Sequence, residues 1–341
     1  MSCPAVSVVI PTLDSQRVLE ACLSSLRGQN IGQENVEILI VDGGSRDSTK
    51  QIAESYGCRI INGGYRENQE ARKSIGLFES KNELVAYIDS DNILPGSDWM
   101  TEMIKPFVEH PETVAAQTWR YGIKPGFNAY NRYCALIGAN DPVPFYLGKS
   151  EKLCYLFDDW RATSIMRECH GYFLVNFTPE NLPTVGGNGF FIRREILIQS
   201  RCQPDEFFHI DVISDLVRAG HNPFAMVRNE IYHDVTSRLR DLALRRMKYF
   251  MIHSPSRSAR RYFVFDVHKK KDIIKLLLYV IFTLTLVQPL FLSIRGYLKK
   301  KDTAWFLHPY VCWSFLIAYS ISSLVLYARV LRIRISREFS D

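Results

Sequence analysis

Over the first 120 residues, short apolar runs alternate with segments of helical periodicity, and this alternation strongly restricts the possible fold. The runs at residues 6–11 (VSVVIP) and 36–43 (VEILIVDG) are rich in β-branched residues, which is typical of strands covered on both faces. Residues 15–28 lie between them and carry apolar side chains at helical spacing. Further helices are expected near residues 48–56 and 68–79, and strands near 59–62 and 84–88. The pattern predicts an α/β domain with a mostly parallel sheet and helices on both faces.

Polar clusters follow three of the predicted strands. They read PTLD after the first strand, DGGSRDST after the second and DSDN after the fourth. In open α/β sheets, ligands bind beyond the carboxyl ends of the strands. One such cluster would be weak evidence, but three at the same edge of a sheet predict a binding site.

Asp89 and Asp91 stand one residue apart, directly after the apolar fourth strand. Ionised carboxylates repel each other at this distance, so the pair indicates either a solvated turn or a shared cation. The neighbouring polar loops favour the cation. Hard divalent ions take carboxylate oxygens together with substrate phosphates, and no Cys/His cluster lies nearby in the sequence. The predicted ion is therefore Mg²⁺ or Mn²⁺ rather than zinc.

The turn after the second strand contains Asp42, Gly43, Gly44 and Asp47. The two glycines allow a ligand to approach the main chain closely. We expect Asp47 to cap the following helix. Asp42 either accepts hydrogen bonds from a nucleobase or ribose or only shapes the turn, and its position alone leaves both interpretations open.

Two apolar stretches without Asp, Glu, Lys or Arg, at residues 276–294 and 303–328, predict membrane-crossing helices. Each reaches the roughly 20 residues that a helix needs to cross a bilayer. Trp305 and Tyr327 near the ends of the second stretch suit the membrane interface. Pro289 is expected to kink the first helix. Two buried core helices are the alternative interpretation.

The net charge is +6, and basic side chains are concentrated between residues 238 and 271, just ahead of the first apolar stretch. This position favours contact with an anionic membrane surface over a merely solvated face. Two crossings would put the N-terminal domain and the tail on one side, and the distribution of Lys and Arg favours the cytosol for that side. The eight cysteines form no CxxC pair, which suits a reducing compartment and argues against a zinc site.

These patterns divide the chain into four parts. We predict a catalytic domain at residues 1–235, a basic amphipathic juxtamembrane segment at 236–272, two transmembrane helices at 273–329 and a basic cytosolic tail at 330–341. The N-terminal sequence MSCPAVSVVIPT lacks the basic region and the long apolar run of a signal peptide. The predicted location is the membrane, with the catalytic domain on its cytosolic face.

Five motifs carry a resemblance to a known family. VSVVIPTLD, ILIVDGGSRDST, EARKSIG, YIDSDN and GGNGFFIRREI occur in the order and spacing of the family 2 glycosyltransferases, and the resemblance covers residues 6–220. It implies the GT-A fold, which is Rossmann-like. It also implies inverting transfer from a nucleoside-diphosphate sugar with Mn²⁺ or Mg²⁺, and we expect no nucleic-acid partner.

The resemblance assigns roles to individual residues. Donor binding would involve Pro11, Thr12, Asp14, Asp42, Gly43, Gly44, Ser90, Gly187 and Asn188. Arg72 matches the basic residue that approaches the diphosphate, with Lys73 as the alternative. Asp89 and Asp91 match the pair that holds the metal on the diphosphate, and His233 either completes this site or is structural.

The family often carries a Glu-Asp pair ahead of a helix that ends in Ala-Gly, and the Asp of this pair deprotonates the acceptor. Asp211 stands in that place here, with Ile210 where the Glu would be. The resemblance therefore implies Asp211 as the catalytic base. Asp215 is the competitor, although a solvated helix position explains it equally well.

Membrane helices imply an acceptor near the bilayer, most simply a polyprenyl-linked one, as in polysaccharide assembly. A lipid-linked saccharide presents a hydroxyl and needs a base, whereas polyprenyl phosphate is already ionised and needs none. The Asp211 motif and the GGNG loop favour the saccharide. Arg245 and Arg246 would either grip an anionic acceptor or rest on lipid head groups.

Two other classes remain open: a sugar nucleotidyltransferase and a non-catalytic membrane scaffold. The segment PTLDSQRV lacks the glycine richness of a nucleotidyltransferase loop. The intact acidic pair argues against the scaffold.

Overall fold

A computed structural model describes residues 4–158, 164–235, 239–253 and 260–338. The predicted juxtamembrane segment includes residues 236–238 and 254–259, and the predicted tail includes 339–341, all of which lie outside the described residues. Arg238 and Arg257 of the basic run lie outside them as well.

The described part of the catalytic domain is built on a ten-stranded sheet. Its strands are β1 (Val6–Thr12), β2 (Val36–Asp42), β3 (Arg59–Asn62), β4 (Leu84–Tyr87), β5 (Asn92–Ile93), β6 (Ala115–Tyr121), β7 (Ser164–Cys169), β8 (Tyr172–Asn176), β9 (Phe190–Arg193) and β10 (Phe224–His233). The order across the sheet is β3-β2-β1-β4-β9-β6-β10-β8-β7, and β5 pairs with β10.

The first four strands are all parallel, as the alternating sequence pattern predicts. Beyond them the sheet is mixed, because β9 runs antiparallel between β4 and β6. Strands β7 and β8 are also antiparallel, whereas β10 pairs parallel with β6. The expected mostly parallel order therefore describes the N-terminal half of the sheet, and the later strands depart from it.

The helices are α1 (Leu19–Arg27), α2 (Thr49–Ser55), α3 (Gln69–Glu79), α4 (Trp99–Glu109), α5 (Ala129–Ile137), α6 (Pro142–Leu147), α7 (Arg194–Leu197), α8 (His209–Arg218), α9 (Leu242–His253), α10 (Lys270–Thr285), α11 (Val287–Lys299) and α12 (His308–Glu338). Short 3-10 turns at Gln33–Asn35, Leu239–Asp241 and Thr303–Leu307 connect some of these elements.

Alternate residues of β1 enter two different apolar cores. Val8 packs in the core that contains Leu23 of α1 and Trp99 of α4. Val9 packs in the core that contains Leu77 of α3 and residues of α8. Helices therefore cover both faces of the sheet, which explains why the central strands are apolar along their whole length.

The first predicted membrane helix is broken. Residues 276–294 are divided between α10 and α11, which meet at an angle of 85°. Leu286 at the junction has a left-handed backbone, with φ +60°. Pro289 follows in the first turn of α11 and has no N–H to donate to the carbonyl of Thr285, so α10 cannot continue through this point.

The second predicted stretch lies mostly in one long helix, α12. Within the described residues, the span Thr303–Arg329 is the one helix that is long and apolar enough to cross a membrane, and the bent α10–α11 pair would be a second only as a broken span. Exposed apolar side chains project from all three helices, among them Leu277, Ile281, Phe291, Leu324 and Tyr327.

The first half of α12 is attached to the catalytic domain. Cys312, Phe315 and Ala318 are buried. The guanidinium of Arg246 in α9 donates to the hydroxyl of Tyr319 in α12 (2.6 Å) and to the carboxylate of Asp141. The helix that is long and apolar enough to cross a membrane therefore also packs against the part of the chain that carries the cavity described below.

Replacing Gly76 with valine should lower the thermal stability. A Cβ atom on Gly76 would lie 2.2 Å from Cγ1 of the buried Val9, so the added methyl groups require α3 to move away from the sheet. Overpacking a core in this way costs about 1–3 kcal/mol. The Tm of the purified Gly76→Val protein should fall. The control is Phe78→Val, at an exposed position of the same helix. Equal Tm values for both variants would contradict this packing.

Candidate active site

The three polar clusters predicted from the sequence lie at one edge of the sheet, where the first and third line a cavity of about 690 Å³. No residue of the second cluster, at positions 42–49, is among the lining residues. The loop after β1 contributes Pro11, Leu13 and Ser15, α3 contributes several polar side chains, and the turn after β4 contributes Asp89, Ser90 and Asp91. Gly187, Asn188 and His233 complete this part of the wall. The cavity therefore includes the carboxyl ends of β1 and β4 in its wall.

Asp42 at the end of β2 is fully buried and shapes the turn that follows it. Its carboxylate accepts hydrogen bonds from the backbone N–H groups of Gly44 and Ser45, each at 2.9 Å, and from the hydroxyl of Thr12 at 3.3 Å. Burial raises the pKa of Asp42, but the hydrogen bonds from Ser45 and Gly44 and the charge of Lys50 outweigh it and lower the pKa overall. The carboxylate is therefore ionised and largely occupied by its own loop.

Asp14 joins the first two loops to each other. It has a left-handed backbone, with φ +48°. Its carboxylate accepts from the backbone N–H of Arg46 (2.8 Å) and from the guanidinium of Arg66 (2.6 Å).

Asp47 accepts from the backbone N–H of Thr49 (3.1 Å) at the start of α2, as expected of a helix-capping residue.

Lys73, rather than Arg72, contacts the acidic pair. The Nη1 of Arg72 donates to the carbonyls of Tyr65 (2.7 Å) and Arg66 (3.0 Å), so this residue supports the loop at the cavity wall. The Nζ of Lys73 lies 3.3 Å from Oδ1 of Asp89. Burial lowers the pKa of Lys73, but the carboxylates of Asp89 and Glu70 outweigh it and raise the pKa, so the ammonium stays charged.

Asp91 and His233 form a partly buried pair beside Asp89. The Nε2 of His233 lies 3.2 Å from Oδ2 of Asp91. Burial raises the pKa of Asp91, but the charge and hydrogen bond of His233 lower it overall. The other carboxylate oxygen of Asp91, Oδ1, and the Nδ1 of His233 are both buried without a hydrogen-bond partner.

The unpartnered oxygen of Asp91 fits a divalent cation. A buried carboxylate oxygen normally has a partner, and hard cations prefer such oxygens. Within the described residues, no group of three or more His, Cys, Asp or Glu side chains could hold a metal. An ion at Asp91 would therefore need further oxygens from a substrate, which is the usual arrangement for Mg²⁺ at a diphosphate.

The GGNG loop closes the cavity opposite α3. Asn188 has φ +44° and accepts a hydrogen bond from Asn92 (3.0 Å), which lies directly after the acidic pair. A Cβ atom on Gly187 would lie 3.7 Å from Oε1 of Glu151, 3.8 Å from Nζ of Lys73 and 3.9 Å from Nε2 of His209. Glycine at position 187 therefore leaves open the space that these three side chains surround.

Glu70, Glu151 and His209 line the cavity but were not predicted from the sequence. Glu70 stands in the EARKSIG motif, in which the family resemblance assigns a role only to the basic residues. Glu151 lies in the variable segment after α6, where no sequence signal marks it. His209 is the first residue of α8, two positions before the predicted base, and this proximity could have identified it.

The structure does not bring Asp211 or Asp215 to the cavity. The carboxylate of Asp211 is buried on another side of α8, where it accepts from Nε of Arg260 (2.7 Å) and from the backbone N–H of Tyr262 (2.9 Å). Asp215 accepts from Nε of Arg261 (2.6 Å). Both carboxylates are held by arginines and are not among the cavity-lining residues.

Side chains of α9 and α12 also line the cavity. Leu242, Arg245, Arg246, Tyr249 and Phe315 line it. The guanidinium of Arg246 is engaged with Asp141 and Tyr319. The cavity therefore extends from the acidic pair to the helix that can enter a membrane.

Sequence comparison identifies the family. The model of glycosyl transferase family 2 matches residues 7–200, which is more than half of the chain. The chain belongs to this family.

Family members with curated names match shorter segments. The putative glycosyltransferase EpsH of Bacillus subtilis is 33% identical over 112 residues, which are 31% of this chain and 31% of the relative. A GalNAc(5)-diNAcBac-PP-undecaprenol β-1,3-glucosyltransferase of Campylobacter jejuni is 30% identical over 108 residues, which are 30% of this chain and 34% of the relative. The chain thus aligns with only about a third of the length of these relatives.

Structural similarity to a solved transferase covers more of the chain than these sequence matches do. A mannosyltransferase from Pyrobaculum calidifontis superposes on 93% of this chain and 87% of its own, with a TM-score of 0.52 and 13% identity. At this identity the likeness concerns the fold alone. Together with family membership it confirms the predicted α/β architecture of the GT-A type.

Asp42→Asn should destabilise the protein at neutral pH but not in acid. The pKa of Asp42 is lowered from its ordinary value of 3.8, so its stabilising effect is fully present above that value. The effect is lost as the pH falls through the lower pKa of the folded state. The Tm difference between wild type and variant should therefore be large at pH 7 and shrink below roughly pH 4.

The control for this prediction is Glu34→Gln, at an exposed position whose carboxylate accepts one hydrogen bond of 3.4 Å from its neighbour. A Tm difference for Asp42→Asn that stays constant from neutral to acidic pH would contradict the ionised state of Asp42.

Proposed function

We propose that this protein transfers a sugar, with inversion, from a nucleoside-diphosphate sugar to a hydroxyl of a lipid-linked saccharide at the membrane surface. One observation carries the proposal. The same cavity is lined by the acidic pair Asp89 and Asp91 and by side chains of the helices α9 and α12. A donor diphosphate and a membrane-bound acceptor would thus meet in the same space.

The named relatives support both substrates. The Pyrobaculum transferase was solved with GDP-Man and Mn²⁺. The Campylobacter relative is named for an undecaprenol-linked acceptor, and GgaA of Bacillus subtilis, 31% identical over 164 residues, is named for minor teichoic acid biosynthesis. These names favour a nucleotide-sugar donor and a role in glycan or polysaccharide assembly for the present chain.

The donor would bind across the first three loops. Pro11, the Asp42 turn with Gly43 and Gly44, and Ser90 would surround the nucleoside, and Gly187 and Asn188 would lie beside the transferred sugar. A divalent cation held by Asp91, with Asp89 and His233 beside it, would neutralise charge on the diphosphate. The ammonium of Lys73, 3.3 Å from Asp89, supplies further positive charge where negative charge develops on the leaving diphosphate.

The membrane is the proposed location of the acceptor. The exposed apolar side chains of α10, α11 and α12 would contact lipid, and α12 would cross the bilayer with the catalytic domain on the cytosolic face. A lipid-linked acceptor could then reach the cavity along α9 and α12, past Tyr249 and Phe315.

Polyprenyl phosphate as the acceptor is the second candidate. The basic side chain of Arg245 in the cavity lining favours it, because guanidinium groups bind phosphate well. This reaction would need no base. The nucleotidyltransferase and the scaffold, by contrast, receive no support from family membership.

The two acceptors can be separated directly. Membranes containing the protein are incubated with a panel of radiolabelled nucleotide sugars and with either polyprenyl diphosphate-linked saccharide or polyprenyl phosphate. We expect label in the lipid phase with the saccharide. Label with polyprenyl phosphate alone would favour the second candidate, and no lipid label from any donor would contradict the proposed function.

Asp91→Asn should abolish metal-dependent transfer while the protein remains folded, because the amide presents one neutral oxygen in place of a carboxylate. Turnover in the presence of Mn²⁺ and the Tm are measured together. Asp98→Asn is the matched control, since Asp98 bonds Asn30 outside the cavity. Full wild-type activity in EDTA would contradict the assignment of Asp91.

A further inference from the structure

A glutamate–histidine pair lies on the cavity wall and has no role in the site as described so far. Both the backbone N–H and the ring Nδ1 of His209 contact the same carboxylate oxygen of Glu70, at 2.8 and 2.9 Å. The side chain of His209 is 19% exposed and that of Glu70 is 12% exposed, so each is mostly enclosed by protein while still lining the cavity. The double contact fixes the imidazole at the first turn of α8.

The charge of Glu70 determines the tautomer of His209. Burial raises the pKa of Glu70, but its contact with His209, the charge of Lys73 and the hydrogen bonds from His209 outweigh it and lower the pKa overall. An ionised carboxylate can only accept hydrogen bonds. The Nδ1 of His209 must therefore carry a hydrogen, which leaves the lone pair of the neutral ring on Nε2.

The free nitrogen faces the open space above Gly187. A Cβ atom built on Gly187 would lie 3.9 Å from Nε2 of His209 and 3.8 Å from Nζ of Lys73. Since Lys73 also contacts Asp89, this space adjoins the proposed metal and diphosphate site. A basic nitrogen is thus directed at the region that the proposed function gives to the transferred sugar and the acceptor.

We infer that His209, oriented by Glu70, is the general base of the transfer. In this step Nε2 takes the proton of the acceptor hydroxyl, and the oxygen forms a bond to the anomeric carbon. The bond from that carbon to the diphosphate breaks, and its electron pair leaves on the diphosphate oxygen. Glu70 stabilises the resulting imidazolium and is a positioning residue. The inference rests on the proposed function with a hydroxyl acceptor.

Glu151 is a weaker candidate for the same role. One of its oxygens accepts from the hydroxyl of Tyr121 (2.8 Å), and the amide of Asn188 lies 3.3 Å from both. Burial raises its pKa, but the charge of Lys152 and the hydrogen bond from Tyr121 lower it overall. A carboxylate held in this way attracts a proton less strongly than a neutral imidazole does.

Asp211 acts on His209 indirectly. It fixes Arg260, whose guanidinium lies 3.6 Å above the ring of Phe208, and Phe208 stacks on His209 with 5.2 Å between the ring centroids. The groups around the imidazole are thus Glu70 and Lys73 from α3, Glu151 across the cavity, and the Phe208–Arg260 stack behind it.

The test compares His209→Ala and His209→Gln with wild type on the lipid-linked saccharide. Loss of a general base should lower kcat by about 10²–10⁴-fold and leave the donor KM nearly unchanged. Added imidazole should restore part of the kcat of His209→Ala, which a merely structural histidine would not allow. In His209→Gln the side-chain amide can still donate to Glu70, so this variant tests the base even if the alanine variant is unstable.

Two further variants complete the design. His170→Ala, at an exposed turn, is the control and should behave as wild type. Glu70→Gln should lower kcat less than His209→Ala and should not respond to imidazole. A wild-type kcat for both His209 variants on the saccharide would overturn the base assignment alone. Transfer by wild type to polyprenyl phosphate only would overturn both the base and the proposed hydroxyl acceptor.

Discussion

The buried ammonium of Lys73 is the interaction on which the arrangement of the site depends. It lies 3.3 Å from Asp89 and 3.8 Å from Glu70, and without it two carboxylates would be enclosed together without the charge of this ammonium. An uncompensated buried charge is among the most costly features that a protein can contain. Because Lys73 and Glu70 share α3, whereas Asp89 follows β4, one side chain ties the helix to the sheet edge and at the same time sets the charge of the cavity.

The sheet determines which residues can meet around this charge. Parallel β1, β2 and β4 deliver their loops to the same edge, and antiparallel β9 enters beside β4 directly after the GGNG loop. The loop is therefore held against the turn of the acidic pair, through the contact between Asn188 and Asn92. The antiparallel strand that departs from the expected order is thus the element that closes the cavity.

The first strands and helices could be predicted from the sequence, because β-branched runs and helical spacing are local signals. The meeting of the three polar loops was also predictable, since carboxyl ends of parallel strands share an edge. Contacts between distant segments could not be predicted from the sequence. Glu70 and His209 are 139 positions apart, and Asp211 is paired with an arginine 49 positions further on, so no local pattern shows that Asp211 is turned away from the cavity. The bend at Leu286 was expected only as a kink at Pro289.

The attachment of α12 to the catalytic domain has a consequence for the energetics of catalysis. Phe315 forms part of the cavity wall, and one turn later Tyr319 holds Arg246, which lines the same wall. If α12 crosses the bilayer as proposed, its depth and tilt are set partly by lipid thickness, and these displacements pass directly to the acceptor end of the cavity. The lipid surroundings then become a parameter of the reaction rate, and the activity in detergent micelles and in bilayers of different chain length would be different properties of the same protein.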